Sequence, residues 1–290
     1  MERRSKSFYA LACVFALFVA FLYGPMISIL ILSFQGPQGG LVFPMNGVSL
    51  HWFEKLWRGG GQVEVAGAFR RSLALALTVM ALTVVISVLA GLAFRKRFVG
   101  ATLLLYVAIA SLIVPSIVVS LGIGLEFRLI DEAIKDFGNA YGIESIQRGF
   151  VSALGPSTSG LGAHLTWTLP FGLLIMFAVF NRFDPAYEEA ARDLGASASQ
   201  TFRHVTLPMI APFLIGVAVF GFTLSWDELA RSSQVMGAQN TLPMQLAAKT
   251  TTVTDPEIYA LGTATSGGAL LLVGVALTLA NLLRRRKARD

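Results

Sequence analysis

Six stretches of this sequence run long enough without a charge to cross a lipid bilayer. They lie at about 8–34, 72–94, 98–125, 161–181, 209–230 and 261–283, with charged residues held to their ends. A helix needs about 20 apolar residues to span the hydrocarbon. These runs are too long and too uninterrupted for core helices of a water-soluble domain. Composition agrees: only 14% of the 290 residues are charged and 54% are hydrophobic. A soluble domain carries about 25% charged residues, so an ordinary soluble enzyme is excluded. Disorder is excluded as well, because disordered chains are polar. The 28 glycines follow no G-X-Y period, which removes collagen. The fold class expected is all-α, a polytopic membrane protein with six transmembrane helices.

The first stretch follows Arg3, Arg4 and Lys6, as a signal peptide would. Its apolar run is too long for a cleaved leader and no small-x-small site ends it. It reads as a retained signal-anchor helix, kinked at Gly24 and Pro25. Basic residues then orient the chain. Fourteen of the 23 Lys and Arg fall in the segments that precede span one, join spans two and three, join spans four and five, or follow span six. They crowd the helix ends, as in 95–97 and 284–289, where the positive-inside rule weighs most. Both termini (1–7 and the basic tail 284–290) and the loop 184–208 are therefore expected in the cytoplasm. Segment 126–160 faces outward and reads as a short amphipathic surface helix followed by a turn-rich loop. The net charge of +6 is a membrane-orientation signal, not a nucleic-acid one.

The loop between spans four and five is long for a connector and carries its own helix code. Asp184 is an N-cap candidate and Pro185 suits the first helical position. Tyr187, Ala190, Ala191 and Leu194 fall on one face at i, i+3, i+4 and i+7, while Glu188, Glu189, Arg192 and Asp193 take the others. Gly195 is placed to end this helix in a left-handed cap. Ser197 with Gln200 forms a capping box for a second helix, whose apolar side holds Phe202 and Val205. Pro208 marks entry to the next span. A helix lying on lipid headgroups is rich in Lys and Arg on its polar face. This one is acidic, so a protein partner suits it better.

These residues carry a resemblance. Glu189-Ala190-Ala191, three residues, Gly195, nine residues, Val205, one residue, Leu207-Pro208 resembles the EAA loop of ABC importer permeases, with Val for the usual Ile. His164–Phe171 (HLTWTLPF), Tyr187–Ser197 (YEEAARDLGAS), Phe222–Leu229 (FTLSWDEL) and Thr241–Pro243 resemble the second permease of spermidine/putrescine-type importers. The resemblance implies a type I ABC importer transmembrane domain in a bacterial inner membrane. It implies a second permease subunit, two ATP-binding subunits and an extracytoplasmic solute-binding protein as partners. It also implies that the loop residues Tyr187, Glu188, Glu189, Ala190, Ala191, Asp193, Gly195, Ala196, Phe202, Val205, Leu207 and Pro208 couple the spans to the ATPase. Glu189 would contact that subunit, the two alanines would allow close approach, and Gly195 would make the turn. ATP and Mg would be bound by the partners and no cofactor by this chain. Other small solutes, such as opines, amino-acid derivatives or phosphonates, are alternative cargoes in this branch.

Several further residues are candidates on their own chemistry. Asp227 and Glu228 follow the fifth apolar run, and acids near hydrocarbon usually face a pathway or a partner. They serve either a cationic solute or an outer interface where Arg231 pairs with them. The resemblance favours the pathway. Trp226 offers a face for a cation or an interfacial anchor. His164 and Trp167 open span four, and His164 reads more readily as a hydrogen-bonded interface residue than as a ligand. Pro115, Pro170 and Pro212, with Gly216 and Gly221, interrupt spans and suit either ordinary tolerance of such residues or broken helices that rock during alternating access. No metal-ligand spacing, P-loop, H-E-x-x-H or G-x-S-x-G is present. The chain has no means of its own to energise transport. A stand-alone secondary transporter would want relay acids in several spans or an internal repeat, and the sequence has neither.

Overall fold

The computed structural model describes residues 5–58, 65–96, 98–252 and 255–287. The chain divides into two compact units, one of residues 1–66 with 245–271, the other of residues 67–244 with 272–290. Among the described residues the secondary structure is helical, apart from one isolated antiparallel bridge between Gln35 and Val48. Among the described residues five helical segments are long and apolar enough to cross a membrane: Lys6–Leu32, Val65–Phe94, Pro156–Asn181, Ala198–Trp226 and Glu257–Val275.

In the first unit, α1 (Lys6–Leu32) starts at Ser5, whose hydroxyl accepts the Phe8 N–H, and carries Pro25 without ending there. Nearly all of its large side chains are exposed, as lipid or a partner chain requires of an apolar helix. The loop that follows is organised around the buried side chain of Gln35. Its amide donates to the carbonyls of Gly40 (3.0 Å) and Val42 (3.4 Å) and accepts the Asn46 N–H at 2.8 Å. A buried polar side chain is stable only when so satisfied. The short α2 (His51–Arg58) buries Trp52 and lays Lys55 over its ring. Lys55 also pairs with Asp255 (3.1 Å) and Glu257 (3.0 Å), and Glu257 takes a second partner in Lys249. The hydrogen bond that Lys55 donates to Glu257 raises its pKa above the ordinary lysine range.

The second unit is built on α3 (Val65–Phe94), α7 (Leu161–Asn181) and α10 (Leu207–Trp226). Small residues let these three approach closely. A Cβ at Gly172 would strike Ser87 and Thr83, one at Gly91 would strike Phe180, and one at Gly221 would press on Met80. Backbone approach at small residues is how membrane helices gain packing where lipid is as apolar as they are. Thr83 and Thr168 share a buried hydrogen bond of 2.7 Å across the α3–α7 contact. Val88, Met176, Phe180, Ile210 and Val217 form one apolar cluster, and Leu75, Val79, Ala163, Val235 and Met236 form another.

Several spans differ from the sequence expectation. The stretch 98–125 is not one helix. It is divided into α4 (Ala101–Ala110) and α5 (Ser116–Ala140), separated by a turn over 111–115. Pro115 is the cause: it has no N–H for the ladder and disfavours helical geometry at Val114. α5 then continues far into the segment expected to hold a separate surface helix. A short α6 (Glu144–Gly149) and a loop tied to Asp131 follow, with Ser152 Oγ and the Ala153 N–H donating to the carboxylate at 2.5 and 2.7 Å. The fifth span starts earlier than 209 and stops at Trp226 instead of 230. Residues 227–241 form a compact turn segment, because buried polar groups claim its backbone. The second span starts earlier than 72: Arg70 and Arg71 lie inside α3, where Arg71 Nε donates to the Asn240 carbonyl at 2.9 Å. The last two helices are α11 (Leu242–Thr252) and α12 (Glu257–Lys287), the latter taking up most of the expected basic tail. The N-terminal residues 1–4 and the last three lie outside the described residues.

Candidate functional site: the coupling loop and the buried arginine

The loop after α7 folds as two short helices. In α8 (Ala186–Asp193) the Asp184 carboxylate accepts the Ala186 N–H at 2.9 Å, so Pro185 stands at the cap position and Ala186 is the first helical residue. Gly195 has φ +85°, which a side chain would strain. Its N–H reaches the Arg192 carbonyl at 2.9 Å and the Ala196 N–H reaches Ala191 at 3.1 Å. This paired closure is the Schellman ending. In α9 (Ala198–Thr201) Ser197 and Gln200 exchange both bonds of a capping box. A wide π-helical turn, Phe202–Thr206, then leads into α10.

The residues of this loop divide by what they face. Phe202 and Leu207 pack on the cluster around Phe180 and Ile210, with Val205 and Pro208 half-buried beside them. Tyr187, Glu189, Ala190 and Asp193 are exposed, and Leu194 is 90% exposed. Ala191 and Ala196 are intermediate. A cavity of about 600 Å³ lies beside Tyr187, lined among others by Val179, Phe183 and Phe213. Glu188 turns the other way, its side chain only 13% exposed. Arg95, at the end of α3, grips both its oxygens, each at 2.9 Å, and Thr206 donates to Oε1 at 2.6 Å. The guanidinium of Arg95 in turn sits over Phe180 and Phe183, 5.4 and 5.2 Å from the ring centres. The hydrogen bond from Arg95 holds the Glu188 carboxyl below the usual range, outweighing its partial burial.

At the opposite end of α10 the centre is Arg231, fully buried. Its guanidinium donates to Thr166 Oγ1, to the Ser111 carbonyl (3.2 Å) and to Ser116 Oγ (3.4 Å), and it lies 4.9 Å from the ring centre of Trp167. It thus fills the gap in the helical ladder between α4 and α5. The Arg231 N–H donates to Glu228 at 2.8 Å, and Ser120 Oγ donates to its carbonyl at 2.7 Å. His164 stands beside it, bridging Ser225 (2.8 Å) and Ser232 (3.0 Å). Of the pathway candidates, Asp227 is exposed and Glu228 half-buried. Trp226 is buried, stacked on Phe222 and edge-on to Phe69, so its ring is closed to a solute in this conformation. Trp167 presents its face to Arg231. Neither Arg95 nor Arg231 emerges from spacing alone. The signal for Arg231 was its place among Ser, Thr and acid residues beside an apolar run.

The chain matches the family model described as "Binding-protein-dependent transport system inner membrane component" over residues 83–289. It is 30% identical over 271 residues to the putrescine transport system permease protein PotI of Escherichia coli (strain K12), covering 93% of this chain and 90% of that one. It is 28% identical to the spermidine/putrescine transport system permease protein PotC of Haemophilus influenzae, covering 98% of both. Among solved structures, a bacterial ABC transporter involved in the import of the acidic polysaccharide alginate superposes with a TM-score of 0.65 at 16% identity, over 94% of each chain. At that identity the likeness concerns the fold, and it is the type I ABC importer fold. This chain therefore belongs to the binding-protein-dependent transport system inner membrane component family, as a permease component of an ABC importer.

Proposed function

We propose that this chain forms half of the translocation pathway for a small cationic solute of the polyamine class and is driven by a separate ATPase that docks on α8. The observation that carries the docking is the division of α8. Glu188 is held inward by Arg95, while Glu189, Ala190, Tyr187 and Leu194 stand outward with no span to cover them. An exposed Leu beside small residues and an acid suits a protein cleft better than headgroups. In this reading both termini and the coupling loop are cytoplasmic, and a second permease chain completes the pathway. Two ATP-binding subunits supply ATP and Mg, and a solute-binding protein delivers cargo from outside. The polyamine class is supported by the exposed acid Asp227 at the outer end of α10 and by the cargo named for the two relatives above.

The test is reconstitution of the co-purified assembly in liposomes with its binding protein, titrated with putrescine and spermidine. ATP hydrolysis rises with solute and falls in Asp227→Ala. Glu189→Lys removes the ATPase subunit from the purified complex. Stimulation by another small organic solute alone would discard the polyamine class. Transport without ATP, or normal transport in Glu189→Lys, would sink the docking role.

A further inference from the structure

We propose that Glu188 is the positioning residue that transmits movement of the coupling loop into the spans, acting inside this chain and not at the ATPase surface. The inference rests on the reading that α8 is the docked element. It deepens that reading by separating two adjacent glutamates into two tasks.

The geometry carries it. One carboxylate joins three elements: α8, which holds it; the end of α3, through both guanidinium nitrogens of Arg95; and the last residue before α10, through the Thr206 hydroxyl. A two-pronged arginine–carboxylate contact fixes orientation as well as distance. Phe180 of α7 and Phe183 just after it flank the Arg95 guanidinium, so the contact also bears on α7. The partners are partly withdrawn from water, 13% and 23% exposed, so the contact is weakly screened. Arg192, one turn further on α8, lies at 3.9 Å and is the outer cation facing the same carboxylate. Tyr187 of α8 also meets Phe183, just after α7, edge-on. A push on α8 therefore reaches α3 and α10 through Glu188.

The experiment uses the reconstituted assembly and reads solute moved per ATP hydrolysed. In Glu188→Gln the ATPase subunit stays bound and this ratio falls roughly tenfold. Arg95→Gln falls alike, and the double variant Arg95→Gln/Glu188→Gln falls no further than either single, because both remove one contact. Amide exchange of residues 186–206, measured on the purified chain alone, quickens in Glu188→Gln. An unchanged ratio, additive losses in the double variant, loss of the ATPase subunit from Glu188→Gln, or unchanged amide exchange would each overturn the proposal. The exchange measurement stands even where the wild-type assembly shows no solute-stimulated hydrolysis, a result that would defeat the functional reading separately.

Discussion

Glu188 and Glu189 are neighbours in sequence and about 100° apart around a helix, and that rotation alone gives them opposite surroundings. The EAA-type spacing marks Glu189 and says nothing of Glu188, whose partner Arg95 lies 93 residues away. Two of the loop's caps were legible because they are local: Gly195 and the Ser197–Gln200 box each act within a few residues, whereas Pro185 and not Asp184 takes the cap position of α8. The carboxylate grip was not, because it is tertiary. Its pH behaviour follows from the shift. The folded-state pKa of Glu188 lies below the unfolded value, so its contribution is present above the ordinary carboxylate range and is lost as pH falls through the lower folded value. Amide protection of 186–206 is therefore expected to stay flat from about pH 8 to about pH 5 and to drop only in stronger acid. In Glu188→Gln that acid step is absent. At Gly195 nothing lies within 4 Å of an added Cβ, so Gly195→Ala meets only the cost of its positive φ. A loss of about 1 kcal/mol in local stability is expected, read as faster exchange across 186–196, with Gly195→Asn losing less.

Helix existence was readable from charge-free length, but helix ends were not. Pro115 inside the third apolar run gave an accurate warning, since the ladder does break there. The sequence reading left Pro115 between ordinary tolerance and a broken helix, because nothing nearby in sequence provides for the carbonyl it frees at Ser111. Arg231 donates to that carbonyl from 120 residues away. The same side chain explains why the fifth helix stops at Trp226. Continuing it would carry Glu228 and Arg231 out of their hydrogen bonds with each other and with α4, α5 and α7. Arg231→Met should leave the Ser111 carbonyl and the Thr166 and Ser116 hydroxyls without this donor. About 3 kcal/mol of destabilisation is expected, measured as a lowered thermal midpoint in detergent. Arg231→Lys should rescue little of it, because one ammonium cannot reproduce a planar fork.

For the whole molecule, the sidedness expected from basic residues at the helix ends is open to a direct check. In a Cys13→Ala background, a cysteine at Ser199 should react with an impermeant thiol reagent only from the cytoplasmic face of membrane vesicles. One at Gln147 should react only from the outer face. The reverse pattern would invert the orientation drawn from the 14 clustered Lys and Arg. The wide turn at Phe202–Thr206 has its own consequence for the machine. A π-helical turn carries one residue more than α-helical winding uses, and one residue is about 100° of rotation. The azimuth at which the loop 186–201 leaves the span is thus fixed by a surplus residue at the foot of α10. The loop is phased to the span as a key is to its shaft, so the chain tolerates a changed side chain in this turn far better than a changed length.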